Sequence, residues 1–158
     1  MTIRPLPAER LSLQPLPAGA DTPPSVRVQL DGRAAGQPLP GALLEAAFEC
    51  EGLGDAQLLL FLSDDVPFED FLHLHLLDAQ LALLDSASLG APYSTGAFAL
   101  RGEPADHALR FRFIGQADWT LELLDHAETR LPFLGDPPGV HRRFGFRRRF
   151  RLSAQPDR

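Results

Sequence analysis

The middle of the chain carries its most continuous apolar pattern. Residues 58–62 form an uninterrupted apolar run, and residues 71–78 then alternate between two sets of side chains. Because successive side chains of a strand point to opposite faces, a period of two is typical of a β-strand with one packed face. A second apolar run, residues 81–89, follows Ala79-Gln80, so these two segments are predicted to form a tight hairpin.

The same two-residue period recurs along the chain. Val26 to Leu30 alternates and runs into Asp31-Gly32, a strong turn dipeptide. Residues 44–51 also alternate, although a helix is the alternative there because Ala, Leu and Glu favour helices. The pattern therefore predicts an all-β fold with little helix: an antiparallel β-sandwich, jelly-roll-like, or a closed barrel, of about 8–10 short strands. Further alternating segments lie at residues 109–113, 119–123 and 144–152.

Prolines mark the N-terminal end of the chain. Proline removes a backbone donor and so favours sheet edges over central strands. We expect residues 1–24 to be a proline-rich arm packed on the domain, with Leu11 and Leu13 able to add an edge strand. Residues 25–155 are predicted to form a single antiparallel β domain, since 158 residues correspond to one domain.

Composition narrows the class of protein. With 44% hydrophobic and 23% charged residues, the chain has the balance of a soluble globular protein. Cys50 is the only cysteine and shares a strand face with apolar residues, so we expect a buried thiol and no internal disulfide. No apolar run is long enough for a membrane-spanning helix or a secretory signal, so we expect a cytoplasmic protein without a membrane partner.

Charge is divided unevenly along the chain. Residues 34–100 hold ten acids and no arginine, whereas residues 141–158 hold seven arginines and one acid. One interpretation is a basic face that binds a protein or a second copy of the chain, and the other is pairing of the arginines with acids on neighbouring strands. Nucleic acid is not an expected partner, because a net charge of −6 repels a polyanion outside the patch. The predicted basic interaction face consists of Arg143, Arg147, Arg149 and Arg151.

Arg148 departs from this pattern. The alternation that packs Phe146 and Phe150 inward also directs Arg148 inward, where a bulge, a buried carboxylate or a cavity has to accommodate it. A possible pocket comprises Tyr93, Ser94, Thr95, Trp119 and Arg148.

Two histidines offer a candidate metal site. His73 and His75 share a strand face, where two imidazoles can bind one metal ion, and His141 is a candidate third ligand. His73-Leu74-His75 and Pro138-Gly139-Val140-His141 resemble the two motifs of the cupins, a family of metal-dependent β-barrels. The resemblance implies one divalent metal at these histidines. No catalytic assignment is carried over, because Pro67 stands where the cupin pattern has glycine.

An acidic cluster lies just before the histidine pair, at Asp64, Asp65, Glu69 and Asp70. Carboxylates suit Ca²⁺, but the spacing lacks the EF-hand pattern, so a solvated strand connection is the favoured interpretation. We therefore expect a non-catalytic binding protein without a cofactor, whose partner is another protein or a second copy. The alternatives are a cupin-like metal enzyme and a small-molecule carrier whose cavity is lined by Phe111, Phe113 and Trp119.

Overall fold

A computed structural model describes residues 2–17, 19, 22–65, 70–90, 96–114, 117–129, 136–142 and 147–155. Within these ranges the chain forms fourteen strands and one short 3-10 turn at Ala8–Arg10, which confirms the all-β prediction. The strand count exceeds the expected eight to ten because four short strands of two to four residues are added. None of the described segments is a helix that could cross a membrane.

In chain order the strands are β1 (Thr2–Pro5), β2 (Leu11–Pro15), β3 (Ser25–Leu30), β4 (Arg33–Ala34), β5 (Leu39–Pro40), β6 (Leu43–Glu51), β7 (Ala56–Ser63), β8 (Leu72–Asp78), β9 (Leu83–Leu89), β10 (Gly96–Leu100), β11 (Ala108–Ile114), β12 (Asp118–Thr129), β13 (Val140–Arg142) and β14 (Arg147–Gln155).

These strands build three antiparallel sheets. The largest has the order β1-β6-β7-β8-β9-β13, a second has the order β10-β11-β12-β14, and a third joins β2, β3 and β4, with β5 also paired to β3. No sheet among the described residues closes into a barrel. The sandwich prediction is therefore confirmed, and the closed barrel that the cupin resemblance implies is not formed.

Strand β7 explains how the sheets are layered. Leu59 and Phe61 belong to the apolar core shared with β11, β12 and β14, whereas Leu58, Leu60 and Leu62 belong to a second core shared with β3 and β5. All five side chains are at most 1% exposed. A strand that packs against other sheets on both faces needs an apolar residue at every position, which is why residues 58–62 do not alternate.

The proline-rich N-terminus supplies two strands. β1 pairs with β6 at one edge of the six-stranded sheet, and β2 pairs with β3 at the edge of the third sheet. Pro5 and Pro15 stand at the ends of these edge strands, where a missing N–H costs no ladder hydrogen bond. Part of the expected arm is thus built into the sheets, and the edge strand expected at Leu11 and Leu13 is formed.

Other local predictions hold as well. Residues 43–51 form strand β6 and not a helix, and Cys50 is buried within it, which raises the pKa of its thiol to about 12. Strands β8 and β9 pair as the expected hairpin. Asp31 and Gly32 both have positive φ angles, of 51° and 83°, as the tight β3–β4 turn requires.

An ionic network joins the six-stranded sheet to β14. Asp85 on β9 accepts hydrogen bonds from the Arg142 guanidinium at 3.0 Å and from the backbone N–H of Arg149 at 2.8 Å. Arg142 also donates to the carbonyl of Phe150 at 2.8 Å, and the Arg149 guanidinium pairs with Asp55. The side chains of Asp85 and Arg142 are only 6% exposed, so each of these charges depends on its partners.

Replacing Asp85 with Ala is expected to lower the free energy of unfolding by about 3 kcal/mol, because a buried guanidinium and a backbone N–H lose their acceptor. Urea denaturation at neutral pH measures the loss. Glu51→Gln is the control, since the Glu51–Arg4 pair is more than half exposed and such pairs contribute about 1 kcal/mol at most. Equal losses in the two variants would contradict the structural role of Asp85.

Candidate functional site

A partly open cleft of about 790 Å³ lies on the face of the six-stranded sheet that β5 partly covers. Residues of β8, β9 and β13 line it on one side, and residues 37–40 line it on the other. The third sheet ends here and does not cover part of β9, and the cleft lies at this uncovered part. Its polar lining residues are Gln37, His75, Ser86, Ser88, His141 and Arg142.

Cross-strand pairing aligns side chains near this cleft in two rows. Ser88 on β9 is paired with His73 on one side and with His141 on the other. His75 and Ser86 form the neighbouring pair. Residues that are directly opposite in antiparallel strands share a face, so each row presents imidazole and hydroxyl groups together.

His73 connects the cleft to the acidic segment behind it. Its Nε2 lies 2.7 Å from Oδ1 of Asp64, and its Nδ1 lies 2.7 Å from Oγ of Ser88. The side chains of His73 and Asp64 are each 12% exposed, whereas Ser88 lines the cleft. The three groups therefore form a hydrogen-bonded chain with only its serine end at the cleft.

His75 stacks parallel to His73, with ring centroids 6.2 Å apart, but its hydrogen bonding is different. Its Nε2 donates to the carbonyl of Pro40 at 3.0 Å, and its Nδ1 is buried without a partner. Burial lowers the pKa of His75 to about 4, with the hydrogen bond to Pro40 opposing that shift. The imidazole is therefore neutral at pH 7.

The structure does not bring His73, His75 and His141 to a common metal position. His75 and His141 each contact a carbonyl oxygen through Nε2, the latter at Gly90 over 3.2 Å. Because a carbonyl only accepts, those nitrogens carry hydrogen and cannot coordinate a metal. Among the described residues, no group of histidine, cysteine and carboxylate side chains is arranged to hold a metal ion. The geometry does not support the expected ligand set.

The described members of the acidic cluster, Asp64, Asp65 and Asp70, are joined by hydrogen bonds. Oδ1 of Asp70 accepts hydrogen bonds from the backbone N–H groups of Asp64 and Asp65, at 3.0 and 3.2 Å. Burial raises the pKa of Asp70, partly offset by these hydrogen bonds. Asp65 has a positive φ of 57°, a conformation that Asp tolerates in turns. The hydrogen bond to Asp70 holds the backbone of Asp64, whose carboxylate contacts His73.

The arginine-rich strand is largely paired within the chain. Arg151 lies 3.5 Å from Glu122, its cross-strand partner, and also contacts Glu128. Arg149 was expected on an exposed face but is buried, because the β12–β14 register shifts opposite it and its guanidinium reaches Asp55. Of the described residues of the predicted basic face, Arg147 and Arg151 are exposed, and Arg151 is paired with acids of β12. These contacts favour the interpretation that the arginines pair with acids of the same chain.

Arg148 lines a second cleft, of about 260 Å³, beside Thr120 and Ser153. It is 6% exposed, and its Nη1 donates to the carbonyl of Arg147 at 3.1 Å. Trp119 does not line this cleft but packs in the core, 3% exposed. Trp119 and Arg148 therefore do not line this cleft together, and the rest of the expected pocket is not covered by the described residues. Glu69, Tyr93, Ser94, Thr95 and Arg143 lie outside the described residues.

Sequence reasoning missed Ser86 and Ser88. Both follow Asp85 at alternate positions, but residues 81–89 were interpreted as an apolar run, so the two serines were not considered as site residues. A hairpin with a two-residue turn at Ala79-Gln80 pairs His73 with Ser86. The actual turn is one residue longer, since Leu77 pairs with Leu83, and the bulge between Leu76 and Leu77 adds one more position, so the partner of His73 is Ser88. The alternation of the two serines is visible in the sequence, but the register that places Ser88 opposite His73 is not.

Comparison with known proteins adds no assignment: no protein-family model, curated protein or solved structure matches this chain.

Acid is expected to destabilise the protein through His75. Its pKa is about 4 when folded and 6.5 when free, so between these values the unfolded chain takes up a proton that the folded protein excludes. Stability therefore falls as pH drops through this window, by roughly 3 kcal/mol for a shift of this size.

Urea denaturation of wild type and His75→Gln at pH 7 and pH 4.5 measures this contribution. The variant should lose less stability on acidification than wild type. His126→Gln serves as the control, because the His126 side chain is 81% exposed. A wild-type acid response retained in His75→Gln would show that other groups cause it.

Proposed function

We propose that the protein binds a small, uncharged organic ligand in the 790 Å³ cleft. The observation that carries this proposal is the cleft itself, where hydroxyl, imidazole and amide groups meet apolar side chains from residues 38–40 and 82–83. Clefts of about 300–1,000 Å³ with a few placed polar groups on apolar walls are the usual form of a small-molecule site.

The charges around the cleft favour a neutral ligand. Arg142 is the one arginine among the described residues that line it, and it is already paired with Asp85 at 3.0 Å and Asp136 at 3.4 Å. His75 is neutral because of its low pKa. The polar groups therefore offer directional hydrogen bonds without a net charge, which suits alcohols, amides and esters.

This proposal retains the carrier alternative but changes its location. Phe111, Phe113 and Trp119 are 0–3% exposed and fill the apolar core, so they line no cavity for a ligand. The proposed ligand site lies on the other face of the six-stranded sheet, in the 790 Å³ cleft. Binding to another protein or to a second copy stays a prediction. The internal pairing of Arg149 and Arg151 weakens the charge argument for it.

Titrating ¹⁵N-labelled protein with a panel of small alcohols, amides and esters tests the proposal. Ligands that bind should shift the amide resonances of Ser86, Ser88 and His141 more than those elsewhere in the protein. Shifts confined to other surfaces, or no shift at millimolar concentrations, would count against the cleft.

Ser86→Phe is expected to abolish these shifts, because the phenyl ring occupies the cleft at its floor. Ser12→Phe is the matched control, since Ser12 is exposed on the edge strand β2. The heteronuclear spectrum of each variant reports whether it is folded. Binding that survives in a folded Ser86→Phe protein would place the ligand elsewhere.

A further inference from the structure

Asp64, His73 and Ser88 stand out from the other polar groups of the sheet. They come from the end of β7, from β8 and from β9, and two hydrogen bonds of 2.7 Å connect them in series. The hydrogen-bonded series runs from a nearly buried carboxylate, through a nearly buried imidazole, to a hydroxyl that lines the 790 Å³ cleft.

The direction of these hydrogen bonds follows from their chemistry. A carboxylate only accepts, so Nε2 of His73 carries the hydrogen donated to Asp64. In the neutral imidazole Nδ1 then has a free lone pair, and the Ser88 hydroxyl donates its hydrogen to it. A serine held in this way can lose its proton to the imidazole as its oxygen attacks an electrophile.

The neighbouring pair shows that this arrangement is not a general result of placing histidine opposite serine. His75 and Ser86 are paired on the same two strands. However, Nε2 of His75 donates to Pro40, and its Nδ1 is buried without a hydrogen-bond partner. Among the described residues only the Ser88 row combines a hydroxyl, a base and a carboxylate in contact.

We infer that Ser88 is a nucleophile that reacts with a neutral carboxylic ester bound in the cleft, with His73 as general base and Asp64 orienting the imidazole. This inference rests on the proposed binding function and names the class of ligand. The described part of the cleft lining carries no unpaired charge that would repel a neutral ester. The cleft volume has room for both the acyl and the alcohol parts of the ester.

The reaction balances without another reagent. Oγ of Ser88 forms a bond to the ester carbonyl carbon while its proton passes to Nδ1 of His73. The ester C–O bond then breaks, and the leaving alcohol takes that proton. Water attacks the resulting acyl-serine with the same base, which releases the carboxylic acid and regenerates the hydroxyl.

Diisopropyl fluorophosphate tests the nucleophile directly, because attack by Oγ forms a P–O bond and expels fluoride. Intact-mass and peptide mass spectrometry should find one diisopropylphosphoryl group, on Ser88. Ser88→Ala should remain unlabelled, whereas Ser12→Ala, the same change at an exposed serine of β2 outside the cleft, should be labelled at the wild-type rate. Label on other residues alone would overturn the inference.

His73→Ala separates a base from a merely structural group. Loss of a general base should slow labelling by at least about 100-fold, and added imidazole should restore part of the rate. Unchanged labelling would remove His73 from the mechanism.

If circular dichroism shows that a variant does not fold, labelling of wild type with and without urea replaces that variant. Ser88 should react only in the folded protein, and equal reactivity in urea would refute activation by the fold.

p-Nitrophenyl acetate then tests the ester class. Hydrolysis by wild type that disappears after treatment with diisopropyl fluorophosphate supports it, and hydrolysis that is absent or unaffected counts against it. Failure of the two proposals is distinguishable: ligand-induced shifts without label on Ser88 leave the binding proposal intact and refute only the nucleophile. Absence of both results refutes both.

Discussion

The burial of β7 on both faces is the constraint on which the rest of the structure depends. Its five consecutive apolar side chains leave no polar face, so the strand can only lie inside a layered arrangement, with one sheet packed on each side. β8 shares this position only in part. Leu77 lies in the core beneath the third sheet, whereas His73 and His75 occupy the same face further along the strand. The uncovered remainder of this face becomes the cleft.

Ion pairs and charged hydrogen bonds also connect the layers that pack through the apolar cores. The middle-chain acids and the late arginines are far apart in the sequence, yet Asp85 pairs with Arg142 on the neighbouring strand of its own sheet, and Asp55 pairs with Arg149 on the other sheet. The segregation of charge that suggests a partner in the sequence is therefore largely satisfied inside the chain. The same pairing leaves the cleft lining electrically neutral, and neutrality decides which ligands suit it.

The fold was more predictable than the site. Period-two alternation identifies strands because it depends only on neighbouring residues, and it correctly assigns β6, the Asp31-Gly32 turn and the β8–β9 hairpin. The site depends on register. A turn one residue longer than expected and one bulge together exchange Ser86 for Ser88 opposite His73, and the alternation of residues specifies neither.

The sequence by itself determined that the chain forms antiparallel strands, that Cys50 is buried and that the apolar middle lies at the centre, because each follows from local periodicity and the cost of exposing apolar side chains. Only the tertiary structure decided which polar groups meet. His141 pairs with Ser88 across more than fifty residues of chain, and Asp64 contacts His73 on the next strand. Contacts of this kind are set by sheet order and register, and those arise from the packing of whole layers and not from any short segment.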